Sequence, residues 1–191
     1  PTAKSFTSLS RVSTLEPNVD LMERTLVLAE KGWGTTHPNP MVGCLIEEDG
    51  QVVAEGFHQQ AGGPHAEVVA LQNLGRKPKD GAVLYVSLEP CSSTGRTPPC
   101  TSAILDAGIK NVVVCAIDPD SRHAGHGLEL LRNQGVEVVL APPEIGERAA
   151  RLNFIFNQYV ITSRPLIALK MATSANGMVA ERAGYPSRVT G

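Results

Sequence analysis

Three stretches of this chain carry side chains that could work on one reacting centre. They are His65-Ala66-Glu67, Pro90-Cys91 with Cys100 beyond it, and the turn His37-Pro38-Asn39-Pro40. Eight residues separate Cys91 from Cys100, all of them polar, Gly or Pro. The pair is open to three readings: a disulfide, a corner of a structural zinc site, or two ligands of a catalytic metal whose third ligand lies elsewhere. A closed structural zinc takes four protein ligands, whereas a catalytic one takes three and keeps a position open for water. Structural fingers space their cysteines closely, and no second Cys-x-x-Cys pair occurs in the chain. Cys44 and Cys115 stand inside apolar runs, where a thiol is ordinarily a small buried hydrophobe.

The third donor has to come from the five histidines. His58 closes an expected hairpin, and His123 and His126 stand in a polar loop, so these read as turn or surface residues. His37 sits in a rigid turn and could line a pocket. His65 differs because of its company. Residues two apart on a helix point roughly 200° away from each other and cannot share a flank. From the mouth of a helix, however, His65 and Glu67 can both reach a point just beyond its N-terminus. Two thiolates and a hydroxide would make a zinc unit there net anionic, which a helix N-terminus favours. Thr97-Pro98-Pro99 reads as a cap followed by first-turn prolines, putting Cys100 in the first turn of another helix, where amide groups help to ionise its thiol.

Composition bounds these readings. A chain of 191 residues with 42% hydrophobic content can bury one full core with some chain left over. No run of eighteen apolar residues occurs, and a net charge of −2 without a basic block argues against a membrane span and against a general grip on nucleic acid. The opening residues 1–17 have no apolar segment of signal type and are expected to form a flexible leader. A reducing, cytoplasmic compartment follows as the expectation, which disfavours the disulfide.

The positioning elements follow from periodicity. Residues 18–34 have helical spacing, with Asn18 or Asp20 to cap it. Residues 41–58 read as two strands about a Glu48-Asp49-Gly50 turn. After it helices are expected at 64–75, 97–108 and 126–135, alternating with strands at 82–90, 111–117 and 136–140. Such alternation makes an α/β layered sheet with a hairpin first and parallel strands after it. One helix is expected over 144–160, then an apolar strand from Arg164, with a domain boundary at 142–164. His-x-Glu followed by Pro-Cys and a second Cys is the signature of zinc deaminases, in which the Glu moves protons and is not a ligand.

HPNPMVGCLIEEDGQVVAEGFHQQAGGPHAEVVAL and LYVSLEPCSSTGRTPPCTSAILDAGIKNVVV, with the long Pro-Cys-x8-Cys spacing, resemble the deaminase half of the bacterial bifunctional riboflavin biosynthesis proteins. The resemblance runs over about residues 18–140. It implies a three-layer αβα sandwich of cytidine-deaminase type, with a mixed sheet of about five strands. It also implies Zn2+ held by His65, Cys91 and Cys100, Glu67 as acid and base, and Asn39 as a contact to the base. The implied substrate is 2,5-diamino-6-ribosylamino-4(3H)-pyrimidinone 5′-phosphate. Residues 142–164 would then be a linker helix, and 165–191 the start of a reductase domain that would need NADPH only if complete. An unfinished strand invites pairing, so a homo-oligomer is expected.

The chain departs from the family pattern in places. Ser93 stands where the family has His, Asp118-Pro119-Asp120 where it has Asp-Pro-Asn, His126 where it has Arg, and Asn176 where it has Asp. Asp120 is expected to repel a substrate phosphate and Arg96 to offset it. These positions bear on substrate grip, and none is a zinc ligand or Glu67. A deaminase of another base, or an idle deaminase fold used for binding, are the competing readings.

Overall fold

The computed structural model describes residues 15–94, 98–175 and 177–179. The expected leader therefore lies almost wholly outside the described residues, as do Arg96, Thr97 and Asn176. Helix α1 (Val19–Glu30) is capped by Asn18, whose Oδ1 accepts from the amides of Asp20 and Leu21 at 3.0 and 3.3 Å. Strands β1 (Gly43–Glu48) and β2 (Gln51–Phe57) pair antiparallel. Their two-residue turn puts Asp49 at φ 53° and Gly50 at φ 80°. Asp-Gly adopts that left-handed pair readily, and its twist matches the flanking strands. Then follow α2 (Ala66–Leu74), β3 (Val83–Val86), α3 (Cys100–Ala107), β4 (Asn111–Val114), α4 (His126–Asn133) and β5 (Glu137–Leu140).

The sheet order is β2-β1-β3-β4-β5. β1 is antiparallel to both of its neighbours, while β3, β4 and β5 run parallel. Alternation along the strands sorts the core into two clusters. Cys44, Ile46, Leu84, Val86, Val112 and Val114 pack with side chains of α2, α3 and α4. Leu45, Val83, Tyr85 and Val113 pack with α1 and with Ile145 and Ala149 of the next helix, α5 (Pro143–Leu152). The result is the expected three-layer αβα sandwich with a leading hairpin.

Two expectations fail at the C-terminal end. The single helix over 144–160 is two, α5 and α6 (Phe154–Thr162), separated by Asn153. Asn153 forms the joint: its amide donates to the Ala150 carbonyl at 3.2 Å, and its side chain bonds the main chain of Met41 ahead of β1. The apolar stretch after Arg164 is not a strand: residues 165–174 have no regular structure, and Ile167 and Leu169 are exposed. A strand exists only through its ladder, and an apolar run without a neighbouring edge has none to join.

Close backbone contact fixes α2 on the sheet. A Cβ added to Gly56 of β2 would lie 2.4 Å from the amide nitrogen of Ala70 and 2.5 Å from the carbonyl oxygen of Ala66. Gly56→Ala is therefore expected to cost roughly 2–3 kcal/mol, as overpacking against unyielding backbone does. At this chain length that lowers the melting temperature by about 4–12 °C. An unchanged melting temperature would mean that α2 slides freely over β2.

Candidate metal and active site

Strand register decides which loops meet. Gly43 pairs with Phe57, Cys44 with Val86, and Val86 with Val114. The chain before β1, after β2, after β3 and after β4 therefore leaves the sheet at one edge. Those four loops carry Asn39, His58, Cys91 and Asp118. A cavity of about 490 Å³ opens there, lined by Asn39, His58, His65, Glu67, Cys91 and Asp118 among others, with Ser93 and Phe156 also on its wall.

His65 is the N-cap residue of α2, with extended backbone, and Glu67 lies in the first turn. Pro64 thus precedes the helix and does not enter it. Cys100 is the first residue of α3, with Pro99 in the capping position, so the prolines lead into the helix from outside. Despite the eight residues between them, Cys91 is tied to that helix start. The Cys100 amide donates to Cys91 Sγ at 3.3 Å, and the Thr101 amide donates to the Cys91 carbonyl at 3.2 Å.

His65 Nδ1 lies 3.0 Å from Cys100 Sγ and 3.5 Å from Cys91 Sγ, and the three donor atoms lie within 4.8 Å of one another. A tetrahedral zinc with bonds of about 2.3 Å to sulfur and about 2.0 Å to nitrogen holds such atoms about 3.5–3.8 Å apart. The donor set fits zinc after a small expansion, and three protein ligands leave one position open. Hydrogen bonding from Cys100, and then from His65, pulls the Cys91 thiol down to about 4. The same exchange with Cys91, helped by burial, pushes Cys100 up. Bonding to Cys91 raises His65. The three groups share hydrogen bonds, and a divalent cation would release their protons.

Burial holds the Glu67 carboxyl above its usual range, although it sits in a helix's first turn. His58 departs from expectation. It is only 3% exposed, a wall of the cavity, and makes an edge contact with His65 at 5.6 Å between ring centres. Its Nδ1 faces the Pro64 carbonyl at 2.9 Å and its Nε2 faces Asn39 Nδ2 at 3.2 Å. A carbonyl can only accept, so Nδ1 carries the proton and Nε2 accepts from the Asn39 amide. Burial lowers the His58 pKa and keeps this neutral form. Nothing in its sequence neighbourhood beyond the hairpin signalled this.

The remaining expected residues separate. Asn39, Ser93 and Asp118 line the cavity. Asp120 does not, because its carboxylate is bound by Arg122, whose Nε lies at 2.9 Å and whose Nη2 lies at 2.6 Å. His37 lines a smaller cavity of about 200 Å³ beside Trp33 and Asn153. Sequence reasoning missed Glu89, which is 6% exposed and accepts from the amides of Asp118, Gly125 and Gly127 at 3.2, 2.9 and 2.8 Å.

Comparison with known proteins agrees with this geometry. The chain is 47% identical over 175 residues to the riboflavin biosynthesis protein RibD of Aquifex aeolicus, covering 92% of this chain and 48% of that protein. RibD of Acinetobacter baumannii superposes with a TM-score of 0.82 at 43% identity, over 89% of this chain and 47% of that one. The Thermotoga maritima protein named diaminohydroxyphosphoribosylaminopyrimidine deaminase/5-amino-6-(5-phosphoribosylamino)uracil reductase gives 0.81 at 42% identity, over 90% and 49%. The chain thus spans about half the length of the relatives it matches. Over residues 15–116 it also matches the family of the cytidine and deoxycytidylate deaminase zinc-binding region, and with His65, Glu67, Cys91 and Cys100 gathered at two helix starts, it belongs to that family.

Proposed function

We propose that this chain catalyses zinc-dependent hydrolytic deamination of 2,5-diamino-6-ribosylamino-4(3H)-pyrimidinone 5′-phosphate, a step of riboflavin biosynthesis. The observation that carries the reading is the approach of His65 Nδ1 to both cysteine sulfurs, with the buried Glu67 carboxyl in the same cavity. Zinc, when bound, lowers the pKa of a coordinated water toward neutrality. The net reaction joins the oxygen of that water to the amine-bearing ring carbon and breaks the carbon–nitrogen bond, releasing ammonia. Glu67 takes the water's proton and delivers it to the departing nitrogen. Burial moves its pKa toward the working pH, which suits a group that must both accept and donate.

Asn39, its amide oriented by His58, is assigned to the pyrimidine ring. Ser93 and Asp118 are assigned to the sugar, and Arg96 to the phosphate. The Thermotoga relative's name joins a deaminase to a reductase, and the assigned site is of the deaminase kind. The exposed apolar residues Tyr159, Ile161, Ile167 and Leu169 support self-association as part of the same proposal. No helix among the described residues is long and apolar enough to cross a membrane.

Ammonia release measured over a panel of aminopyrimidine nucleotides, their dephosphorylated forms, and cytidine and deoxycytidylate tests the assignment. The phosphorylated diaminopyrimidinone is expected to lead; preference for a cytosine compound would move the substrate, and no release from any would remove the enzyme. Metal analysis of the dialysed protein is expected to give about one zinc per chain, and Cys100→Ser to lose most of it. Full zinc in that variant would break the ligand assignment. Glu67→Gln keeps the shape without the titrating proton. It is expected to retain zinc while turnover falls by at least ~10²–10⁴-fold. Near-normal turnover would give the proton work to another group of the same cavity, with Asp118 the next to test.

A further inference from the structure

The match to the deaminase family ends at residue 116, yet the cavity does not. Phe156, on α6, lines it together with Asn39 and Asp118. One residue before α6 the Asn153 side chain, 6% exposed, reaches the main chain of Met41, 112 positions earlier. The Met41 amide donates to Asn153 Oδ1 at 2.8 Å, and Asn153 Nδ2 donates to the Met41 carbonyl at 2.9 Å. A carboxamide used this way copies a strand partner, satisfying both polar groups of one buried residue. Met41 stands two residues from Asn39, between the cavity-lining Pro40 and Val42. A ring contact between Phe154 and Trp33, 6.3 Å between centres, holds the start of α6 against the chain leaving α1. No residue of α6 is fully buried, so the helix contributes little to the core that would explain so specific an anchor.

We infer that α6 is a wall of the deamination pocket, with Asn153 as its positioning residue. Resting on the proposed function, this deepens it: residues 142–164 are part of the substrate site as well as a connection. Asn153 pins Met41 and so holds the Asn39 amide at the rim, where it can meet the edge of a pyrimidine. Phe156 supplies an aromatic surface on the wall that faces the planar substrate, of the kind bases stack on. The pocket then closes only when the chain after β5 has docked.

The test uses zinc-loaded wild-type protein with Asn153→Ala, Asn153→Asp, Phe156→Ala and Phe156→Leu. Asn153→Asp keeps an acceptor for the Met41 amide and loses the donor to its carbonyl. Loosening a rim residue by about an ångström can cost up to about 10²-fold, so KM is expected to rise about tenfold or more in Asn153→Ala. Zinc content is expected to be kept and kcat to stay within about threefold. Asn153→Asp should fall between, and Phe156→Leu should recover part of what Phe156→Ala loses. Independently of turnover, amide exchange in Asn153→Ala should quicken at 41–42 while the first turns of α2 and α3 stay as in wild type. An unchanged KM with unchanged exchange at 41–42 would overturn the inference. So would loss of zinc together with faster exchange across the whole sheet, since Asn153 would then be a general brace. Should wild type release no ammonia, the deamination reading falls, and exchange at 41–42 still decides whether Asn153 holds the rim.

Discussion

The pairing of Cys44 with Val86, and of Val86 with Val114, sets where the loops of this molecule leave the sheet. β1 runs against β3, so the chain entering β1 and the chain leaving β3 emerge side by side. β4 runs with β3, so its exit joins them. A shift of one residue in any of these ladders would turn every side chain of that strand to the opposite face. It would also move the turn with Asn39 away from the loop with Cys91. The two apolar clusters penalise such a slip, because β1 puts Ile46 and Leu45 into opposite cores. The site is therefore maintained by the hydrophobic register of strands that contribute no functional side chain of their own.

Glu89 turns this shared edge into a fixed distance. Its carboxylate accepts three amide hydrogens from the stretch 118–127, while Cys91 stands two residues further along the same loop. Hydrogen bonds to a charged group contribute about 1.5–3 kcal/mol each, enough for three of them to hold the Asp118 loop against the cysteine loop. The packing at that seam leaves no slack: a Cβ on Gly127 would lie 2.1 Å from the Pro90 carbonyl oxygen. A buried acid near a metal site invites a catalytic role, and Glu89 also lines the cavity, but its carboxylate is held in place by three backbone amides. Glu67 keeps its carboxyl toward the cavity, and the work divides accordingly.

Much of this was legible in the sequence, for identifiable reasons. Asp49-Gly50, the His65-x-Glu67 pair and the Pro-Cys loop are local signals whose geometry is dictated within a few residues, and each appears where expected. Apart from the prolines at the starts of α2 and α3, the failures are long-range. His58 reads as a turn residue because its partners, Asn39 and the Pro64 carbonyl, are supplied by loops that only the fold brings near. Asn153 gives no local hint of ending a helix, since its reason lies at Met41. The run after Arg164 has strand composition, but composition cannot supply a neighbouring edge. Glu89 was overshadowed by Cys91 beside it.

Three of the departures from the family pattern lie among the described residues: Ser93, Asp120 and His126. The proposed zinc donors and Glu67 sit at helix starts or are tied to one, where capping geometry and backbone bonds limit what can change. Ser93 and Asp120 lie on the chain that connects these elements, and His126 is the first residue of α4. Asp120 shows how such a departure is absorbed. Its carboxyl is held well below the usual carboxylate range by Arg122, first through the side-chain bonds and then through the Arg122 amide. The repulsion of a substrate phosphate expected from the sequence is thus largely cancelled two residues away. Because the Asp118 carboxyl in turn accepts the Asp120 amide at 2.9 Å, the loop is braced from within. On the proposed function, the residues assigned to the chemistry sit at helix starts or are tied to one, whereas Asn39, Ser93 and Asp118 sit on loops that the same strand register brings together.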